Sequence, residues 1–306
     1  MTAIVEYGDC RAALRGWAAA GIKAQTCVTS PPYYGLRDYS HADQLGLEQT
    51  PEEYIAAMVE VFRRARDVLA DDGTLWLNLG DSYGKGKQLL GIPWRVALAL
   101  QADGWILRQD IIWNKPNPMP ESVSDRCTKA HEYIFLLSKG PRYFFDNEAI
   151  KEPVAASTVA RLSQNVEAQR GSERVPGKTN GPMKAVRSKA NSFKREGSKR
   201  EQAIPGQAVG THRPDRAESE YDLDTRNRRS VWTVATRPYK GAHFATFPPT
   251  LIEPCILAGS RPGDFVLDPF LGSGTTAQVA IKHGRMALGC ELNRAYKPLI
   301  DGRIGQ

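Results

Sequence analysis

The chain has 306 residues, 41 Lys and Arg against 34 Asp and Glu, a formal net charge of +7 and a hydrophobic content of 41%. These values exclude global disorder, a collagen-like fibre and a disulfide-stapled miniprotein. They suit one large α/β domain or one domain carrying a sizeable insert. The five cysteines (Cys10, Cys27, Cys127, Cys255, Cys290) form no CxxC pair, which points to reduced thiols in a cytosol rather than a zinc ribbon. The opening MTAIVEYGDCR lacks a basic leader region, and the most apolar stretch, 89–100, is broken by Arg95 and too short for a bilayer. A cytoplasmic protein without membrane association is expected.

In chain order, residues 4–7 read as a short strand, and Asp9 is placed to cap a helix running to about residue 20. A strand over 24–29 ends at Ser30-Pro31-Pro32-Tyr33. Pro51 opens an amphipathic helix, EEYIAAMVEVFRRARDVLA, and Asp72-Gly73 turns into the strand TLWLNLG. A helix over 91–102 precedes the strands WILRQDIIW and HEYIFLLSK. After a long internal segment come a helix over 250–257, the strand DFVLD, a glycine turn, the helix TTAQVAIKHG and the strand MALGCE ending at Glu291. Such alternation implies a largely parallel sheet covered by helices on both faces.

The charge is unevenly placed. Residues 151–240 hold 19 Lys and Arg and 10 Asp and Glu, a net of +9, whereas the remainder nets −2. From 151 to 220 the only aromatic is Phe193. By composition this is either a solvated, partly disordered insertion or a surface for a polyanion.

Gly272-Ser273-Gly274-Thr275-Thr276-Ala277 fits G-x-G-x-x-G/A, and Glu291 follows 17 residues after Gly274. The turn follows a strand, opens a helix and is succeeded by an acid at the next strand end, the context of a nucleotide-like cofactor site. Asp268, immediately before the turn, would repel a pyrophosphate and favour a cationic group. That selects S-adenosylmethionine over NAD, and the lack of a P-loop lysine disfavours an NTPase. At the other motif, consecutive prolines hold the chain extended at a strand's carboxyl end. The Ser30 hydroxyl, the Pro31 carbonyl and the Tyr33 ring suit an exocyclic amino group on a stacked base; the alternative is a proline-rich loop with a packed tyrosine.

SPPY together with DPFLGSGTT, WNKPNPMPES, KAHEYIFLL, HFATFPPTLIE and GCELN resembles the amino-directed (N4-cytosine or N6-adenine) site-specific DNA methyltransferases. The order of motifs, catalytic first, then basic insert, then cofactor, is similar to their β group. The resemblance implies an S-adenosylmethionine-dependent, Rossmann-like α/β fold with circularly permuted motif order and a mostly parallel seven-stranded sheet. The strand over 4–7 would then lie beyond the strand ending at Glu291. It divides the chain into a catalytic part (1–150), a partly flexible target-recognition insert (151–235) and a cofactor-binding part (236–306).

The resemblance assigns catalysis to Ser30, Pro31, Pro32 and Tyr33. It assigns S-adenosylmethionine binding to Asp9, His243, Phe247, Asp268, Phe270, Gly272, Ser273, Gly274, Thr275 and Glu291, although Asp9 also reads as a simple helix cap. Tyr34, Trp113, Lys115, Lys194, Arg195, Lys199 and Arg200 are expected at DNA, with Trp113 equally readable as core; His131 and Glu132 are expected to be structural. The implied partner is double-stranded DNA, with a possible cognate restriction endonuclease and a monomeric or homodimeric state. The implied reaction methylates a base flipped from the duplex. Ser30 favours N4 of cytosine, with N6 of adenine as the alternative. An inactive DNA-binding relative and an RNA methylase are weaker readings. Cytosine C5 chemistry would need a cysteine nucleophile, and Cys255 of the lone Pro-Cys pair lies in an apolar helix.

Overall fold

A computed structural model of the chain describes residues 3–39, 41–155, 159, 224–236 and 247–305. The chain divides into two compact units, Met1–Ile150 with Arg229–Gln306, and Lys151–Arg228. The strands are β1 (Ala3–Tyr7), β2 (Ala24–Thr29), β3 (Leu69–Leu79), β4 (Ile106–Asn114), β5 (His131–Ser138), β6 (Glu152–Pro153), β7 (Thr225–Arg226), β8 (Val231–Thr233), β9 (Phe265–Asp268) and β10 (Met286–Glu291). The helices are α1 (Cys10–Ala19), α2 (Pro51–Val68), α3 (Ile92–Ala102), α4 (Pro249–Gly259), α5 (Thr275–Lys282) and α6 (Lys297–Ile304).

The first unit is built on one sheet in the order β1-β10-β9-β2-β3-β5-β4-β8. Its strands are parallel except β5, which runs antiparallel to both β3 and β4. The sheet thus has eight strands, not the expected seven. The extra one, Val231–Thr233, joins the β4 edge because Val-Trp-Thr is β-prone and Trp232 is buried there. The described residues 229–236 therefore group with the first unit, and the inserted unit ends at Arg228 rather than at the expected 235. β1 pairs with β10 from Ala3↔Ala287 to Tyr7↔Glu291, the place that the permuted order requires.

Strand side chains alternate between two apolar layers, as a period of two demands. Cys27, Leu75, Leu77, Phe135 and Leu267 face α1, α2 and α3, while Val28, Trp76, Ile134, Leu136 and Val266 face α4 and α5. The second helix starts where the chain chemistry says it should. The Thr50 hydroxyl accepts from the Glu53 amide while the Glu53 carboxylate takes the Thr50 amide, and Pro51 follows. Its buried face then repeats as Tyr54, Met58, Val61, Phe62, Ala65 and Val68. The turn expected at Asp72-Gly73 is instead a bulge inside β3, where the register jumps from Ala24↔Leu69 to Thr26↔Thr74.

In the second unit, β6 and β7 pair antiparallel and Arg226 bridges Glu152 at 3.0 Å. The expectations for Lys194, Arg195, Lys199, Arg200 and His243 lie outside the described residues, as does any statement on packing over 160–220.

Candidate active site

Strand order reverses between β9 and β2: the chain proceeds from β9 to β10 on one side and from β2 to β3 on the other. In an open parallel sheet the carboxyl ends of strands at such a switch point diverge and leave a crevice. A cavity of about 750 Å³ opens there, within the roughly 300–1,000 Å³ span of ligand sites. Its wall brings together Asp9, Ser30, Pro31, Pro32, Tyr33, Trp113, Lys115, Phe247, Asp268, Phe270, Gly272, Ser273, Thr275 and Glu291. Residues more than two hundred positions apart in sequence thus meet in one site.

The glycine turn is tied down by the two acids that flank it. Gly272 and Gly274 adopt φ of 55° and 86°, the left-handed region that favours glycine. The Glu291 carboxylate accepts from the Gly272 amide at 2.8 Å and the Asn293 amide at 2.8 Å. Burial pushes its pKa up to about 7, against the lowering effect of these bonds. Asp268 is 2% exposed. It accepts from the Thr29 hydroxyl at 2.6 Å, the Thr276 hydroxyl at 2.6 Å and the Phe270 amide at 3.0 Å, and burial raises it to about 6. Its oxygens are turned to the protein, so it clamps β9 to β2 across the switch point rather than presenting a bare counter-ion.

Ser273 is buried, and its hydroxyl finds no partner among the described residues. An orphaned buried oxygen in a glycine turn on the cavity wall leaves a hydrogen bond for a bound group to complete. The Thr275 hydroxyl is taken by the Arg303 guanidinium. Gly274 does not line the cavity; it is the N-cap of α5 in the left-handed conformation. Asp9 lines the cavity and is also the cap of α1, accepting from the Arg11 amide at 2.8 Å and pairing with the Arg11 side chain. Burial works against its charge, but the Arg11 hydrogen bonds hold its carboxyl below the ordinary value.

The Tyr33 hydroxyl is a junction. It donates to Glu132 at 2.7 Å, with Asn78 Oδ1 at 3.1 Å, and accepts from the Ser30 hydroxyl at 3.3 Å. Burial first, then the Glu132 carboxylate, push the phenol pKa well up, so it stays neutral. Glu132 also takes Asn78 Nδ2 at 3.3 Å and the Lys115 ammonium, which lies 4.3 Å from the centroid of the Trp113 ring. The Tyr33 ring lies against Gly80, where a Cβ would come within 2.5 Å of it. Behind the loop, the buried Tyr54 of α2 donates to the Pro32 carbonyl at 2.8 Å. The Pro31 carbonyl accepts no hydrogen bond from the described residues.

Other residues singled out from the sequence take these places. Tyr34 is off the cavity: its ring packs on Tyr54 with centroids 5.6 Å apart and its hydroxyl reaches the Gln49 carbonyl at 3.4 Å. Trp113 is 4% exposed and donates to the Val234 carbonyl, so it is mostly core. Lys115 is spent on Glu132. Asn78, Lys129, His131 and Glu132 also line the cavity; the first two carry no expectation from the sequence, and the last two are expected to be structural. Because β5 is antiparallel, its first residues arrive at the carboxyl edge of the parallel strands. The His131-Glu132 pair beginning an apolar strand was the available signal. Cys255 is 1% exposed in α4, and Cys10, the cysteine on the cavity wall, is raised to about 12 by burial. Neither thiol is a ready nucleophile.

A doubly wound sheet with an acid-tied glycine turn at its switch point defines an α/β enzyme that holds a nucleotide-like cofactor beside a second substrate. More narrowly, the chain belongs to the N6/N4 DNA methylases, since the family model described as DNA methylase matches residues 24–301. It is 40% identical to the Type II methyltransferase M.SmaI of Serratia marcescens over 97% of this chain and 89% of that one. It is 38% identical to M.Cfr9I of Citrobacter freundii over 97% and 86%. Among solved structures, the fold is similar to the PvuII DNA methyltransferase (cytosine-N4-specific), with a TM-score of 0.63 at 18% identity over 99% of this chain and 86% of that one. It is also similar to a DNA modification methylase of Thermus thermophilus complexed with S-adenosyl-L-methionine, with a TM-score of 0.58 at 20% identity over 100% and 95%. Among the described residues, no helix is long and apolar enough to cross a membrane.

Proposed function

We propose that this DNA methylase transfers a methyl group from S-adenosylmethionine to the exocyclic N4 of a cytosine flipped out of duplex DNA. The observation that carries the reading is the meeting of the Ser30–Tyr33 loop and the glycine turn in one cavity. Ser273, Glu291, Asp9, Phe247 and Phe270 would hold the cofactor. The unpartnered Ser273 hydroxyl takes a polar group, and the Glu291 carboxylate accepts from ribose hydroxyls. When bound, S-adenosylmethionine supplies an electrophilic methyl group on a sulfonium sulfur.

The chain's own residues prepare the nucleophile. The amino nitrogen's lone pair is delocalised into the base. Hydrogen bonds from its two N–H groups to Ser30 Oγ and the Pro31 carbonyl draw the nitrogen towards a tetrahedral shape. The Tyr33 ring stacks on the base, and its hydroxyl is anchored by Glu132 and Asn78. Placement and electrostatics supply the acceleration, with no covalent intermediate. Ser30 bears on the choice of cytosine. The basic insert is assigned to gripping phosphates and reading the target sequence, as in a restriction-modification enzyme with a cognate nuclease. The test is nucleoside mass spectrometry of unmethylated duplex DNA after incubation with enzyme and cofactor. N4-methylcytosine is expected. N6-methyladenine alone overturns the choice of base, and no methylated nucleoside overturns the activity.

A further inference from the structure

A cytosine whose amino group is held at Ser30 and Pro31 presents two further polar atoms on the same edge, the acceptors N3 and O2. An adenine held the same way presents N1 and then a C–H carbon. Flipping strips these acceptors of their guanine partner, and a buried acceptor left unpaired opposes binding. The site therefore needs a donor beyond the amino-binding loop, and most donors on the cavity wall are already committed. Lys115 is held by Glu132, Asn78 Nδ2 by Glu132 and the Tyr133 carbonyl, and Arg11 by Asp9. The His131 ring stands edge-on to Tyr133, and Arg37 is exposed.

Lys129 is different. It lines the cavity half-buried, its backbone amide is fixed by Glu121 at 3.2 Å, and its ammonium has no hydrogen bond or ion pair among the described residues. Burial disfavours its charge, while the fields of Asp81, Glu132 and Glu121 sustain it. A desolvated cation held near carboxylates but bonded to none of them is poised for a neutral acceptor brought in by the substrate. We propose that Lys129 reads the flipped base by donating to O2 of cytosine, and so sets the preference for cytosine over adenine. This rests on the cytosine reading above.

The experiment uses the full chain and duplexes carrying the mapped target, with either cytosine or a 2-aminopyridine C-nucleoside. That analogue keeps the amino group and ring nitrogen and lacks O2. In single-turnover assays the wild type should favour cytosine over the analogue. Lys129→Met should lose about 10- to 100-fold on cytosine and little on the analogue, so that the preference collapses. Lys129→Gln, which keeps a donor, should fall between them and serves if the Met variant does not fold. An unchanged preference in a folded variant overturns the role of Lys129 and leaves the cytosine reading standing. Weaker affinity for all duplexes with a salt slope reduced by about one would mark a phosphate contact instead, and also overturns it. Wild-type transfer to adenine alone removes the reading beneath it.

Discussion

Tyr33 is held at its hydroxyl by Glu132, Asn78 and Ser30 and at its ring by Gly80, so the orientation of its ring is fixed within the protein. Base–aromatic stacking contributes roughly 1–3 kcal/mol. Tyr33→Ala should therefore cut single-turnover transfer by about 10-fold or more while duplex affinity, measured by anisotropy, stays within about twofold; equal transfer would remove the stacking role. The carboxylates of the glycine turn make pH a second probe. Glu291 at about 7 and Asp268 at about 6, against ordinary values of 4.5 and 3.8, bind protons more tightly folded than unfolded. Their stabilising contribution is full below pH about 4 and is lost as pH rises through about 6 and 7. Melting of the cofactor-free chain should show this decline, and Asp268→Asn should flatten its lower part. Conversely, a ribose diol donates best to an ionised Glu291, so cofactor affinity by calorimetry should rise from pH 6 to 8 and lose that rise in Glu291→Gln.

Among the elements, α2 does more than cover the sheet, because its buried Tyr54 donates to the Pro32 carbonyl behind the loop. Tyr54→Phe removes that donor at nearly constant volume. It should lower stability by about 1 kcal/mol in urea titration and reduce the transfer rate several-fold by loosening the loop; an unchanged rate would make the bond purely structural. The strand β5 shows what local patterns leave out. Its apolar alternation was legible in HEYIFLLSK, yet its direction was not, because hydrophobic period carries no sign. Antiparallel pairing of Leu79↔Tyr133 and Trp113↔Glu132 is what turns Glu132 from a strand-opening residue into the anchor of Tyr33. Tyr34 reverses the case: it follows Tyr33 directly in SPPYY, yet its ring packs on Tyr54 and stands off the cavity.

For the whole molecule, the charge asymmetry predicts a body of modest net charge joined to a segment of +9 over 151–240. If that segment grips phosphate, replacing Lys194, Arg195, Lys199 and Arg200 by Gln should weaken duplex binding. The slope of log K against log salt should shrink by about 0.9 for each phosphate no longer neutralised. An unchanged slope would move the grip elsewhere. The family resemblance implied the permuted order that seats β1 beside β10; the sequence by itself determined the alternation of strands and helices, the glycine turn and the rigid Ser30–Tyr33 loop. Those are matters of local periodicity, turn chemistry and motif spacing, which act over a few residues. Tertiary structure alone decided that β5 runs backwards and that Val231–Thr233 adds an edge strand. It also decided that Asp268 spends its charge on Thr29 and Thr276, and that Lys129 stands on the cavity wall without an ion-pair partner among the described residues. The reason is that strand direction, pairing order and the partners of a buried charge are settled by contacts between residues far apart in the chain, and no local pattern records which of those contacts will close.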